Sequence, residues 1–211
     1  MPTLTNMEKV NGVVISGAAA PTDRHILLGT QTASSSATLS FSGLNSHRSD
    51  VLRSSFDELE FRFMNMHPGT NAAKFSFQVN ATDGADFNDS LITSTTFMAY
   101  HGEDASYGAL AYSTGDDLAQ QASYQTLCPT TSDDADASMS GVLTLYAPSS
   151  TTYVKHFTAR TTDYSSNGPL MYDFYTAGYI NDTTAIDEIS FMFHTGNIDA
   201  GVIKMYGVAK S

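Results

Sequence analysis

From about residue 25 onward, apolar and polar residues alternate with a period of two, and each run is closed by Gly, Asn, Asp or Ser. Successive side chains of an extended strand point to opposite faces, so this spacing predicts half-buried strands rather than helices. In Leu59-Glu60-Phe61-Arg62-Phe63 the apolar side chains share one face and the charged ones the other. Asp57 would fall on the apolar face, so this strand is predicted to begin just after it. Phe75-Ser76-Phe77-Gln78-Val79 repeats the pattern, and Ala81-Thr82-Asp83-Gly84 supplies a turn. Further strands are predicted at 26–31, 37–41, 93–100, 108–114, 142–146, 154–160, 172–180, 188–194 and 202–208, with Pro148 ending the run that starts near 138. The last two read as a hairpin: Ile189-Ser190-Phe191-Met192-Phe193, the turn residues Gly196-Asn197, then Val202-Ile203-Lys204-Met205-Tyr206. About eleven short strands with turn signals between them predict an all-β fold, a two-sheet antiparallel β-sandwich of jelly-roll type over residues 23–211.

Two stretches break the rhythm. Residues 45–55 are polar and predict a loop carrying one helical turn, and residues 130–138, with Asp133, Asp134 and Asp136, predict a solvated loop. No repeat of fixed period and no linker divides the chain. Residues 1–22 read as an extended N-terminal arm. Lys9, the apolar residues 10–15 and the small residues 17–20 imitate a signal peptide, but Asn11 and Gly12 interrupt the apolar run and Glu8 sits where positive charge belongs. No run approaches the ~18 apolar residues of a membrane-spanning helix. Synthesis in a cytoplasm is the expectation.

Composition sharpens this picture in three ways. Acids outnumber bases 22 to 10, a formal net charge of −12, and no Lys/Arg cluster exists to hold phosphate, so binding to nucleic acid or to an anionic membrane surface is not expected. Charged residues are only 15 % of the chain, and Ser and Thr supply about a quarter, a polar surface suited to pleated sheets. The single cysteine, Cys128, excludes an internal disulfide, and its neighbours Leu127 and Pro129 carry no nucleophile signature.

The most site-like cluster is His101-Gly102-Glu103-Asp104, inside FMAYHGEDASYGALAY (97–112). A zinc site needs three or four converging donors, and the other histidines, His25, His47, His67, His156 and His194, are scattered singly. No metal or other cofactor is expected, and the cluster reads as a polar connection between two strands. The acids 133, 134 and 136, and Asp86 with Asp89, offer oxygen donors for calcium but lack the glycine and glutamate spacing of an EF-hand. Eleven tyrosines and no tryptophan stand out. Tyrosine serves both a sandwich edge and a protein or sugar interface.

Several segments, in order, resemble virion structural proteins of tailed, often marine, bacteriophages: 32–44, the aromatic strand ending at His67-Pro68, 97–108, 148–157, and 190–207 with Gly196-Asn197-Ile198-Asp199-Ala200-Gly201. The likeness covers about residues 26–209. It implies a β-sandwich displayed on a virion as capsid decoration, head fibre or tail component, with no catalytic residues. The expected partners are the major capsid or tail protein and further copies of the chain, a trimer being the first expectation, with the arm contacting the particle or a neighbour. The second reading, from a different class, is a tail-fibre receptor-binding module that recognises host-surface glycan through loops at one end of the sandwich. Glu103, Asp104 and Tyr107 are the surface-loop residues expected to touch a partner in either case.

Overall fold

The computed structural model describes residues 7–10, 13–16, 25–44, 56–81, 86–87 and 89–209. Its strands are β1 (Met7–Val10), β2 (Val13–Ser16), β3 (His25–Thr32), β4 (Leu39–Ser42), β5 (Phe56–Pro68), β6 (Ala73–Ala81), β7 (Ile92–Gly102), β8 (Gly108–Tyr112), β9 (Ala119–Gln121), β10 (Gln125–Thr131), β11 (Met139–Tyr146), β12 (Lys155–Tyr164), β13 (Leu170–Ile180), β14 (Ile186–Phe193) and β15 (Ile198–Ala209). No helix occurs among the described residues, and so none long and apolar enough to cross a membrane. Within the predicted arm, β1 and β2 pair antiparallel. The rest of residues 1–22, the loop predicted at 45–55 and the turn residues 82–84 lie outside the described residues.

The predicted sandwich is present, as a four-stranded sheet in the order β10-β6-β14-β4 and a nine-stranded sheet in the order β3-β15-β5-β11-β12-β13-β7-β8, with β9 also paired to β7. The pairings are nested. β3 lies against β15, β4 against β14, β5 against β11, β6 against β10 and β7 against β8, all antiparallel. Successive pairs alternate between the two sheets, so one long antiparallel ribbon is rolled into two layers, which is the jelly roll. The meander β11-β12-β13 widens the large sheet until it reaches β7. β12 shows the underlying alternation most cleanly: Lys155, Phe157, Ala159, Thr161 and Asp163 are buried, and the residues between them are exposed.

The core fills the space between the sheets. Phe61 and Phe63 from β5 and Phe157 from β12 meet Phe75 and Phe77 from β6 and Phe191 from β14. Ring centroids lie 5.2 Å apart for Phe63–Phe75 and Phe63–Phe191, and 5.1 Å for Phe77–Phe157, in edge-to-face arrangements. Such pairs contribute about 0.5–1.5 kcal/mol each beyond their area burial. Polar ties supplement them: the Thr161 hydroxyl of β12 donates to the Leu127 carbonyl of β10, and the buried Lys155 Nζ donates to the carbonyls of Asp182, at 3.0 Å, and Thr184.

Three differences from the sequence expectations have physical causes. β5 begins at Phe56 rather than after Asp57, because a bulge there opposes Phe56 to Ala209 and Glu58 to Val208, which lets Phe56 turn inward and Asp57 outward. β10 runs through Cys128-Pro129, where no strand was predicted. It lies at an edge of the small sheet, where a missing N–H is tolerated, and its register slips on both sides of Cys128. The last two strands are not a hairpin: β14 pairs with β4 and β6 in the small sheet, β15 with β3 and β5 in the large one. Each has one core-facing side, and a short turn at Gly196, whose φ of 71° needs no side chain, crosses from layer to layer. Alternation and turn residues are the same whether two strands pair or face one another.

Candidate functional site

His101, Glu103, Asp104 and Tyr107 sit at the β7–β8 connection, which joins the two strands as expected. Gly102 N–H donates to the Tyr107 carbonyl at 3.0 Å and Ala105 N–H to the Gly102 carbonyl at 3.0 Å, closing the turn. Asp104 Oδ1 accepts from Ser106 N–H at 2.9 Å, and this bond holds the Asp104 carboxyl below its ordinary range. The aspartate therefore spends one oxygen on its own turn. Residues 103–107 are all exposed.

Three loops share this end of the sandwich. Glu103 N–H donates to the Pro169 carbonyl in the β12–β13 turn, at 2.9 Å. Ser166 N–H of that turn donates to the Thr130 carbonyl at 2.8 Å, and Ser132 N–H donates to the Tyr164 carbonyl at 3.1 Å, which ties in the acidic loop. The structure thus brings Glu103, Asp104 and the 132–137 loop to one rim. It does not bring their carboxylates together, and no group of three His, Cys, Asp or Glu side chains converges among the described residues. Asp133, Asp134, Ala135 and Asp136 are exposed. Asp83 lies outside the described residues. The scattered histidines have local tasks: His67 Nδ1 lies 2.7 Å from the Ala137 carbonyl, and His194 Nδ1 accepts from Lys74 N–H at 2.8 Å.

A second, larger feature lies on the outward face of the nine-stranded sheet. Register places Tyr112, Phe97, Tyr175, Arg160, Val142, Arg62, Lys204 and Thr30 in one continuous cross-strand row, from β8 to β3. At about 4.8 Å per strand the row is on the order of 34 Å long. Phe97 and Tyr175 stack with centroids 4.8 Å apart and planes 5° from parallel. The Arg160 guanidinium lies 5.0 Å from the Tyr175 ring and pairs bidentately with Asp173 at 2.9 and 2.8 Å. That pairing lowers the Asp173 pKa and raises that of Arg160. Arg62 lies 4.8 Å from the Tyr206 ring and pairs with Glu60.

The charged residues facing outward in the paired rows, Arg62, Arg160 and Lys204 against Glu58, Glu60 and Asp173, offset one another, with Asp57 at the start of β5. The face is therefore near neutral in a chain of net charge −12. Toward β8 it becomes apolar: Leu110 is 72 % exposed, Tyr112 54 %, Met171 50 % and Phe97 41 %. The number of tyrosines is evident in the sequence, but their gathering on one face is not. The legible signal was their position on the polar phase of each strand, as at Tyr175 and Tyr179, where a purely structural strand carries Thr or Ser.

One further pair lies inside. Cys128 is fully buried, and burial first, then the nearby Asp163, pushes its thiol well above the ordinary range. Asp163 projects from β12 toward β10, and burial raises its pKa to about 6. The Cys128 thiol and the N–H groups of Tyr172 and Thr130 oppose that rise, but they are distant or poorly aligned, since neither carboxylate oxygen has a partner in hydrogen-bonding geometry. Across protein-family models, characterised proteins and solved structures, the chain finds no match.

Proposed function

We propose that this chain is a non-enzymatic structural protein of a tailed-bacteriophage virion, displayed on the capsid surface as a decoration protein. The observation that carries the reading is the rolled antiparallel ribbon, an architecture that recurs in viral capsid and lectin domains. Fold analogy supports a virion role, and the ordered likeness to virion proteins adds to it. The segments of that likeness fall on the frame of the roll: 32–44 runs from the end of β3 through β4, His67-Pro68 closes β5, 97–108 is the β7–β8 turn with its flanks, 148–157 enters β12, and 190–207 covers the second half of β14 and most of β15. Partners in this reading are a major capsid or tail protein and other copies of the chain, with residues 1–22 as the attachment arm. Purified chain is expected to co-sediment with particles stripped of it, and deletion of 1–22 to abolish that binding. Failure to co-sediment, or unchanged binding by the deletion, refutes the proposal.

A second reading, a tail-fibre module recognising host-surface glycan, is favoured by one observation: the β7–β8 turn and the acidic 132–137 loop share a rim. Glu103, Asp104 and Tyr107 would contribute contacts there. A glycan array probed with and without calcium tests it, and silence across host-derived sugars removes it. Electron microscopy of labelled chain on the virion separates the two readings by position.

A further inference from the structure

Strand β8 ends the nine-stranded sheet and, among the described strands, pairs only with β7. Its sequence, Gly108-Ala109-Leu110-Ala111-Tyr112, carries neither charge nor proline, the usual devices by which an edge strand discourages pairing with another chain. Antiparallel alternation identifies its free backbone groups. Gly102 N–H donates to the Tyr107 carbonyl and Ser113 N–H to the Thr96 carbonyl, so 107 and 113 belong to hydrogen-bonded pairs with β7, and so do 109 and 111 between them. The N–H and C=O groups of Gly108, Leu110 and Tyr112 therefore point away from β7. Ala109, on the other phase, is exposed as well, so β8 overhangs the small sheet.

We propose that this edge pairs with the same edge of a second copy of the chain, antiparallel about a two-fold axis at Leu110, joining two nine-stranded sheets into one. A second copy is selected over a foreign strand by three observations. The edge is self-complementary: a two-fold at Leu110 sets Leu110 against Leu110 and Gly108 against Tyr112, so every outward-pointing backbone group in one copy meets one in the other, and the Tyr112 ring of one copy comes beside the His101 imidazole that lies over Gly108 in the other. The chain carries −12, so two copies repel over most of their surface, whereas the outward residues of β7 and β8 next to the axis, Phe97, Ala99, Leu110 and Tyr112, are uncharged, and Asp117 at the margin accepts from the Tyr112 hydroxyl. Exposed Leu, Met, Phe and Tyr side by side form the composition of an interface core, and a sugar platform would leave Leu110 and Met171 unexplained. The resulting unit is a closed dimer, where the sequence alone led us to expect a trimer. The same register brings Glu103 and Asp104 of one copy toward Asp117 of the other, Asp116 being buried and paired with Lys74, so added salt strengthens the pairing by screening.

Sedimentation velocity on the full chain, from micromolar to several hundred micromolar, tests the pairing without reference to any particle, so its failure leaves the virion proposal standing and the converse also holds. The expected result is a concentration-dependent shift from 22.7 kDa to twice that mass, with a lower dissociation constant at higher salt. Amide exchange at 108, 110 and 112 is expected to slow at least tenfold in the dimer. Leu110→Lys is expected to weaken association at least tenfold with the melting temperature unchanged, and Leu110→Pro, which removes an outward N–H and no bond to β7, to weaken association as much. A single-chain mass at every concentration, a trimer, a dimer indifferent to Leu110→Lys, or equal exchange of these amides in monomer and dimer overturns it. Should both variants misfold, the exchange pattern of the unmodified chain decides alone.

Discussion

Asp163 is a carboxylate whose ordinary chemistry is overridden by its place between two sheets. Its pKa is 3.8 when exposed and about 6 in the fold, so the folded chain holds the proton more tightly than the unfolded one. Its contribution to stability is therefore full below pH about 4 and lost as pH rises through about 6, a swing on the order of 3 kcal/mol. Asp163→Asn is expected to melt higher than the natural chain at pH 7.5 and to differ little from it at pH 4. Equal melting temperatures at pH 7.5 would remove the argument. The neighbouring Cys128 thiol is buried and its pKa raised, so it is expected to ignore a thiol reagent in the folded chain and to react promptly in denaturant. Rapid labelling of folded protein would contradict this. Nothing around Leu127-Cys128-Pro129 announces the proximity of Asp163, because the two residues are far apart in sequence and come together only when β10 packs across β12.

At the scale of elements, most strands were legible because each reports its own burial through alternation. β12 is where that reading works best, and β10 is where it fails, since proline and an irregular register erase the period. Strand contacts also explain a glycine that alternation leaves unexplained. A Cβ on Gly178 would stand 2.5 Å from the Thr93 carbonyl oxygen and 2.8 Å from Phe157 Cζ, so β13 can lie this close to β7 and β12 only without a side chain there. Gly178→Ala is expected to cost about 1–3 kcal/mol, as overpacking of a filled interior does. Denaturant titration measures it, and an unchanged midpoint would show that β13 shifts freely. The turn at 103–107 was legible as a polar connection, but the Asp104–Ser106 bond that shapes it depends on a backbone geometry that composition does not specify.

For the whole molecule, the acid excess sets a prediction of its own. Acids outnumber bases 22 to 10, and pairs such as Arg62–Glu60, Lys74–Asp116 and Arg160–Asp173 already engage some of those bases, so screening relieves more repulsion than it removes attraction. The melting temperature at low protein concentration is expected to rise by a few degrees from low to physiological ionic strength. A fall would mean that surface pairs dominate. The loops at one end and the aromatic face on one side are likewise properties of the whole. The hydrogen bonds that join the β7–β8 turn, the β12–β13 turn and the acidic loop link residues more than thirty positions apart, such as Ser166 and Thr130 or Glu103 and Pro169.

By itself the sequence determined the all-β class, the phase of most strands and the polar character of the turns, because period-two alternation, glycine and proline act within a few residues. The sequence also excluded an internal disulfide and left the His101-Glu103-Asp104 cluster without partners spaced to meet it. Only the tertiary structure decided which strands pair and which face one another across the core, as with β14 and β15. It alone joined aromatic and basic residues from eight strands into one cross-strand row, and it alone left β8, among the described strands, as an uncharged edge. Pairing partners are chosen by long-range register and by which apolar faces fit across the core, and neither leaves a mark on local alternation.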